Sequence, residues 1–560
     1  MKAFLPTLLV IALLPVMVRA QTTRTVLTTA DSGAGSLRQA VADSADGDTI
    51  VFAEELSGGT IVLTSGYIHV LAAVTIDASA LPVGITISGN HASRIFIVGD
   101  GPTLFDSLTL IDGRAPDGTT GASGANGGYG GGIFQNGSQL LTLRDCVISG
   151  CRTGDGGDAT GNGNFPGQGG HGGAIYTAYS PLVLERTILR GNRTGDSGVQ
   201  LGSTTRDASG GYGGGIYAYS SDVTLIESTI ADNETGTAGT GGSGGEGGGI
   251  WIFLNANLTV IRSTISGNRT GDGGNGNGIE DLGSIAPGAG GQAAGIFMSQ
   301  LSGARIENST IANNVAGDAG TNGALGPGFP GAGGGIAFRV THLELISSTV
   351  VGNRSGEGIG TEYTGGIYVK ENARLTIADS IVADNHSETQ TGDLADVFKF
   401  SNGMVVTEGG NLIGENTNVE SEFPEPGVVG EANTNGDFTG TATAPLDPQL
   451  GVLGNNGGPT ETMAPLPGSP VIDPVGGDTT SPFDTDQRGR VRIYNGILDI
   501  GAVEYLPDYG PLVRSLKSKI RGTERALRKA KQAGKTSRIA ALKKKLKRFR
   551  QRLASVPSVP

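Results

Sequence analysis

Between Gly130 and Asn385 the chain alternates apolar and polar positions in runs too short for helices, and it does so in copies. One copy reads GGYGGGIYAYSSDVTLIESTIADN, residues 210–233. Its strand-like runs GIYA, DVTLI and STIA are three to five residues long and separated by tight turns. The leading Ile recurs at Ile133, Ile175, Ile216, Ile250, Ile296, Ile336 and Ile367, at steps of 42, 41, 34, 46, 40 and 31 residues. Each later copy closes on Asn, at Asn192, Asn233, Asn268, Asn314, Asn353 and Asn385, while Cys151 takes that slot in the first.

Three short strands and one loop of variable length per copy describe a coil of a right-handed parallel β-helix. A single coil cannot bury its apolar face, whereas stacked coils can. The repeat Ile then forms an interior aliphatic stack. The Gly residues before it allow a tight corner with positive φ. The closing Asn fits a left-handed turn position, and stacked Asn side chains can hydrogen-bond from coil to coil. The length variation sits in Gly-rich stretches such as TGDGGDATGNGNFPGQGG. These read as surface loops, where extra residues cost little closure entropy. A propeller needs four strands per blade, and the repeats show three. Upstream, GSLRQAVADSADGDTIVF predicts a short capping helix over Leu37–Asp43 and then a strand, followed by further alternating segments without Gly loops.

Composition sharpens this picture. Gly supplies 98 of 560 residues, yet 37% are hydrophobic, enough for a core, and no chain-wide Gly-X-Y period suggests collagen. Residues 1–20 read as an export leader: Lys2, an apolar run, and Val18-Arg19-Ala20 for cleavage after Ala20. No later segment reads as membrane-spanning, so the mature chain is expected outside the cell or on its surface. Cys146 and Cys151 lie five apart in an apparent strand, so they are expected on opposite faces as free buried thiols. From Leu512 to Pro560, 17 Lys and Arg stand against one acid, Glu524, a charge of +16. The remaining chain carries −29, so an acidic body bears a basic tail. The organisation reads as leader 1–20, N-terminal cap and first coils 21–130, GGGI-repeat helix 131–410, terminal coils and cap 411–506, and basic tail 507–560.

The edges of the repeat region carry a resemblance. DSGAGSLRQAVADSADGDTIVF resembles the opening segment of secreted bacterial β-helix proteins. GGPTETMAPLPGSPVID, DTDQRGRVR and DIGAVE resemble the choice-of-anchor Q domain that closes such proteins. The GGGI repeats resemble those of polymorphic outer-membrane and adhesin-like proteins. The resemblance implies an extracellular β-helix, displayed on a cell and usually without enzymatic activity. The chain departs from that pattern after the domain, where the basic tail stands in place of a sorting or anchoring signal.

Candidate chemistry is sparse. Catalysis on this fold usually cleaves polysaccharides with clustered acids, Ca²⁺ ligands or a basic proton acceptor, and the repeats contain no Asp-Asp pair. His171, in GGHGG, occupies the slot held elsewhere by Tyr212 or Glu246 and reads as a loop residue. Arg152, Arg193, Arg269 and Arg354 with Asp155, Asp196, Asp272 and Asp318 read as stacked ion-pair rows. Ca²⁺ is the alternative, but Ca²⁺-binding turn repeats need an Asp about every nine residues. No cofactor is expected. Asp486 and Arg488 read as a pair that seals the last coil.

The residue after each repeat Ile gives the binding candidates Phe134, Tyr176, Tyr217, Trp251, Phe297 and Tyr368, with Ala337 between the last two. If Ile faces inward these face outward, one per rung of about 4.8 Å. Such a file suits glycans or a partner surface, unless the Gly loops fold down over it. In the tail, Leu512, Leu516, Ile520 and Leu527 share one helix face, Gly534 breaks the run, and Ser537 can cap a second helix. There Ile539, Leu542, Leu546, Phe549 and Leu553 form an a/d seam. The two helices are expected to pair as a hairpin or with another chain, and residues 512–553 to associate with an anionic envelope surface; export argues against nucleic acid. The functional expectation is an adhesive or structural surface protein that binds polysaccharide, with a polysaccharide lyase or glycoside hydrolase as the alternative.

Overall fold

The computed structural model describes residues 21–554 except 100, 162–163, 202–206, 278–284, 322–325, 361–362, 389–395, 429 and 508–509. The expected leader over 1–20, with the expected cleavage after Ala20, lies outside them. Each coil contributes one strand to each of three parallel sheets, as Ile216–Tyr219, Val223–Ile226 and Thr229–Ala231 do. In that order within the coil, the first sheet has 10 strands, the second 12 and the third 12. The chain is therefore a parallel β-helix. Ile133, Ile175, Ile216, Ile250, Ile296, Ile336 and Ile367 pair in register along the first sheet, and all are fully buried.

Both ends of the core are plugged. Helix α1 (Leu37–Ala42), one residue shorter than expected, buries Leu37 and Val41, and its Ser36 side chain caps the Gln39 amide. At the other end Val419 and Phe423 fold into the core.

The corners differ from expectation in an instructive way. None of the repeat Asn residues adopts positive φ; the residue before it does, as at Gly191 (φ 62°), Asp232 (φ 55°), Asn313 (φ 59°) and Asp384 (φ 54°). This frees the Asn side chain to turn inward. Each Nδ2 donates to the Oδ1 of the next coil's Asn, from Asn192 through Asn233, Asn268, Asn314 and Asn353 to Asn385, at 2.9–3.0 Å. Asn385 donates instead to Asp396 Oδ1 at 2.8 Å. A second column stands at the other end of the third sheet. Backbone N–H groups donate to the hydroxyls of Thr187, Ser228, Ser263, Ser309, Ser348 and Ser380 in turn, and the column passes through Asn411 to Asp437. Cys146 and Cys151 head these two columns. They flank the three-residue strand Val147–Ser149 in turns, so strand alternation does not separate them. Both thiols enter the core, free, and burial pushes each up to about 12.

The Gly-rich stretches are ordered layers. Outgoing limbs carry Gly at a local period of three, as at Gly154 and Gly157, Gly195 and Gly198, and Gly271 and Gly274. Returning limbs repeat it at Gly167 and Gly170, Gly242 and Gly245, and Gly288 and Gly291. Within one loop, Gly170 N–H donates to Gly154 O at 2.8 Å and Gly211 N–H to Gly195 O at 2.9 Å. A Cβ on Gly195 would lie 1.8 Å from Gly154 O. The period and the close backbone approach are those of extended three-residue-per-turn chains packed side by side. Thr hydroxyls bolt the limbs together, Thr153 to Gly170 O and Thr194 to Gly211 O at 2.8 and 2.9 Å.

The segment from Thr460 to Ala502 does not close the last coil. It runs back as a strap along the outward face of the third sheet. Gln487 Nε2 donates to Ser263 O and to Thr264 Oγ1, and Thr310 Oγ1 donates to Gln487 Oε1. Ala502 N–H donates to Thr349 Oγ1 at 3.0 Å. Val471 and Ile500 pack there on Val351, Ile381, Leu412 and Phe438. Asp486 and Arg488 pair at 2.7 Å, both buried, inside the strap. They shape this flank and not the end of the helix, because Gln487 between them bonds to the coils of Ser263 and Thr310, well before the last strand of the sheet. The tail forms helices α2 (Gly510–Gln532) and α3 (Thr536–Ala554), packed on each other. Arg550 pairs with Glu524 across them at 2.7 Å. Gly534 at φ 62° makes the break, and Ser537 lies inside the first turn of α3. Among the described residues, no helix is long and apolar enough to cross a membrane.

Candidate functional site

The first sheet brings the six predicted aromatics to its outward face. Phe134 and Tyr176 stack with centroids 5.1 Å apart and planes within 4°, Tyr176 and Tyr217 at 5.1 Å and 5°, and Tyr217 and Trp251 at 4.6 Å and 5°. Trp251 and Phe297 follow at 6.1 Å. Rings stacked this way along the coil axis cover one another's faces. The ends of the column are covered as well. The Arg94 guanidinium sits over Phe134 and Tyr67, and that of Arg339 over Phe297. Ala337 interrupts the file, and Tyr368 stands beyond it beneath the Lys370 ammonium, 5.1 Å from the ring centre.

A flat sugar platform needs open ring faces, and this column offers edges. Phe134, Tyr176 and Tyr217 are half-buried, whereas Trp251, Phe297 and Tyr368 are buried. The returning Gly limbs are the cause: Ala293 and Ala332 of those limbs pack into the same cluster. What stays accessible is the margin of Tyr176 and Tyr217, with Tyr219 and the 61% exposed Tyr179 beside it.

His171 is no simple loop residue. It lies buried in a second file with Tyr129 and Tyr212, stacked on them at 4.9 and 5.0 Å and on Tyr217 at 4.7 Å. Its Nδ1 accepts the Tyr212 backbone N–H at 3.0 Å, and burial holds its pKa down at about 3. The imidazole is thus a neutral stacking ring. The same slot, four residues before the repeat Ile, carries Glu246, where burial raises the carboxyl and Trp251 Nε1 donates to it at 3.4 Å. Lys370 reaches back across the Ala337 rung to Gln292 Oε1 at 3.2 Å, and burial lowers its pKa. The recurrence of Tyr, His, Tyr and Glu at one offset from Ile was the available signal for this second file.

The ion-pair rows run along the outgoing limbs. Arg152 meets Asp155 and Asp196 at 2.7 and 3.2 Å, and Arg193 meets Asp196 at 2.9 Å. The Asp carboxylates also accept the next coil's backbone, as Asp155 does from Asp196 N–H and Asp272 from Asp318 N–H. Arg354 pairs with Glu388 instead. Among the described residues, no three His, Cys, Asp or Glu side chains come together as a metal cage requires.

The three outward faces are unequal. On the third sheet the strap buries Thr264, Ser266, Thr310 and Ala312. On the first, the Gly limbs bury Trp251, Phe297 and Ala337. The second keeps Thr142, Val183, Thr224, Thr259, Arg305 and Glu344 half-exposed, rung after rung. Clefts of about 460, 210 and 450 Å³ lie along it. Sequence reasoning left this face unmarked because its outward residues share no single type.

Comparison with known proteins adds two solved structures. The chain is similar to the catalytic unit of a thermostable GH87 α-1,3-glucanase from Streptomyces thermodiastaticus strain HF3-3, at 14% identity and TM-score 0.26, over 70% of this chain and 68% of that one. It is also similar to tailspike protein 3 of bacteriophage CBA120, at 9% identity and TM-score 0.23, over 67% of this chain and 53% of that one. No family description and no curated protein matches the sequence, so the resemblance to choice-of-anchor Q proteins stands on the quoted segments alone.

Proposed function

We propose that this chain is an exported, surface-associated β-helix that binds glycans and does not cleave them. One observation carries the reading: the ionisable groups of the aromatic face are engaged within it. His171 is stacked between rings, Glu246 accepts from Trp251, Lys370 donates to Gln292, and Arg339 donates to Ser299 at 3.0 Å. Tyr176 and Tyr217, whose hydroxyls burial keeps protonated, would contribute edge-on hydrogen bonds. The test is a glycan array on the mature chain, with the same polymers assayed for new reducing ends and unsaturated products. Binding without turnover supports the reading, and turnover of any polymer overturns it.

A lyase or hydrolase is the second reading, favoured by one acid and one base in the same cluster, Glu246 raised and Lys370 lowered. Turnover abolished by Glu246→Gln would establish it. The basic hairpin would hold the protein to an anionic envelope surface. Deleting residues 512–560 should release it from cells, and salt should release the intact chain; retention in both cases refutes the anchor.

A further inference from the structure

We propose that the open face of the second sheet holds an extended neutral polysaccharide along the helix axis, with a notch at Gly303 as its selective subsite. The proposal rests on the glycan-binding reading and moves the site away from the aromatic column.

Two of the three outward faces are occupied by the protein itself, the first by its Gly limbs and the third by the strap. Only on the second do successive outward side chains remain accessible along the stack of described coils. Adjacent rungs there are about 4.8 Å apart, close to the advance of one pyranose ring along an extended chain. A polymer laid on this face would therefore meet an equivalent position at each sugar.

The notch forms because one rung lacks a side chain. Asn257, Gly303 and His342 occupy equivalent positions on three adjacent strands. Asn257 and His342 are exposed on either side of the gap, and Thr259, Arg305 and Glu344 form the neighbouring file. The open cleft of about 210 Å³ suits a single sugar ring. A Cβ on Gly303 would meet only Asn257 Oδ1, at 3.6 Å, and no positive φ demands glycine there. The missing side chain thus leaves space that packing does not require.

The ligand class follows from charge and donors. At the notch itself Arg305 is engaged by Glu307 and Glu344, while the exposed Arg374 stands one rung beyond His342. The body around it carries a net −29 outside the tail, which repels polyanions. What the walls offer is the Asn257 amide, whose Nδ2 gives one of its two N–H groups to Asp222 Oδ1 at 3.1 Å, with the His342 imidazole and the Thr259 hydroxyl; together these donate to and accept from hydroxyl groups. His342 Nε2 is held 2.9 Å from Thr376 Oγ1, which fixes the ring at the rim of the notch. A neutral, hydroxyl-rich polymer fits these groups.

The experiment uses the full mature chain on an array of neutral and acidic oligosaccharides, with Gly303→Ile to fill the notch and Tyr176→Ala/Tyr217→Ala to remove the aromatic margin. Melting curves confirm that each variant is folded. The expected result is that the wild type binds neutral oligosaccharides, that Gly303→Ile weakens this about tenfold or more, and that the double Tyr variant does not. Neutral binding untouched by Gly303→Ile but lost with the Tyr pair places the site on the first sheet and overturns the inference while sparing the glycan-binding reading. Binding restricted to acidic glycans overturns the ligand class. Binding of no glycan removes both the inference and the reading beneath it.

Discussion

The first and third sheets both have their outward faces covered, by opposite strategies. On the first, each coil supplies its own cover. Thr153 bonds Gly170 only 17 residues away, and the limb folds over rings of the same and adjacent coils. On the third, one segment covers several coils from a great distance in sequence, as when Thr264 bonds Glu461 across 197 residues. A local cover can be copied with its coil but demands glycine at every close approach. A remote cover is made once, over small residues at Thr264 and Thr310 and over larger apolar ones at Val351, Ile381 and Leu412. The outward pair of the third sheet registers this change. Ile188 and Arg190 are exposed where the strap is absent, and Thr229 and Ala231, Thr264 and Ser266, and Thr310 and Ala312 are buried where it lies.

The comparison breaks most readily at the glycines. Gly195→Val would drive a side chain into Gly154 O and should cost about 3 kcal/mol, read from urea unfolding. Gly427→Ala, with nothing within 4 Å, is the control and should be silent. A Gly195→Val protein as stable as the wild type would show that the limbs do not pack as a layer. Next in size is Gln487→Ala, which strands buried partners on Ser263, Thr264 and Thr310. It should lower the opening free energy of the strap by about 2 kcal/mol in hydrogen exchange, leaving the first sheet protected. Equal loss in both would mean that the two covers open as one unit.

A last contrast separates the covers by pH. In and beneath the strap and just beyond it, Arg488 and Arg492 face four buried carboxyls, Asp379, Asp486, Asp499 and Glu504, so carboxyls are in surplus. Burial pushes Asp499 up to about 6 and Glu504 to about 8. Their folded values lie above the unfolded ones, so the stability they contribute is present in acid and lost as pH rises through 6 to 8. His171 behaves oppositely. Its folded value of about 3 lies below the unfolded one, so its contribution is full above about 6.5 and lost as pH falls towards 3. In melting curves, Glu504→Gln should flatten the alkaline limb and His171→Phe the acid limb. Unchanged limbs in both variants would refute the assignment.

Much of the helix was legible in the sequence. The repeat Ile fixes register because one residue type at one offset from the Gly corner leaves a single way to stack, and the aromatics one position later had to face outward. Their accessibility was not legible, since it depends on where the returning limb travels, and a limb of Gly and Ala gives no hydrophobic signal of what it covers. The Gly-x-x-Gly period within each limb spans one or two turns and was lost among 98 glycines. The strap was missed for a different reason. Its polar, turn-rich sequence matches a terminal cap, and the evidence for its course lies elsewhere, in outward residues that are small from Thr229 to Ala312 and apolar at Val351, Ile381 and Leu412. The position of the second-sheet cleft depends on a single absent side chain at Gly303, which pattern reading treats as a weak strand residue.

The two internal columns have a beginning and an end written in residue chemistry. An Asn placed in the stack accepts from the coil above and leaves a donor that the coil below must satisfy, so each copy creates an obligation for its successor. A carboxylate accepts and passes nothing on. Asp396 takes the Asn385 side chain on one oxygen and the Glu415 backbone on the other, and Asp437 receives Asn411. At the opposite end Cys146 and Cys151 each give a backbone N–H to the next coil, and only weak thiol contacts reach back, as from Cys146 Sγ to Phe105 O, so the columns open there. Copies can therefore be gained or lost between these start and stop marks by duplication or deletion, while the marks themselves stay fixed. The number of coils is a variable that evolution can tune without rebuilding either end.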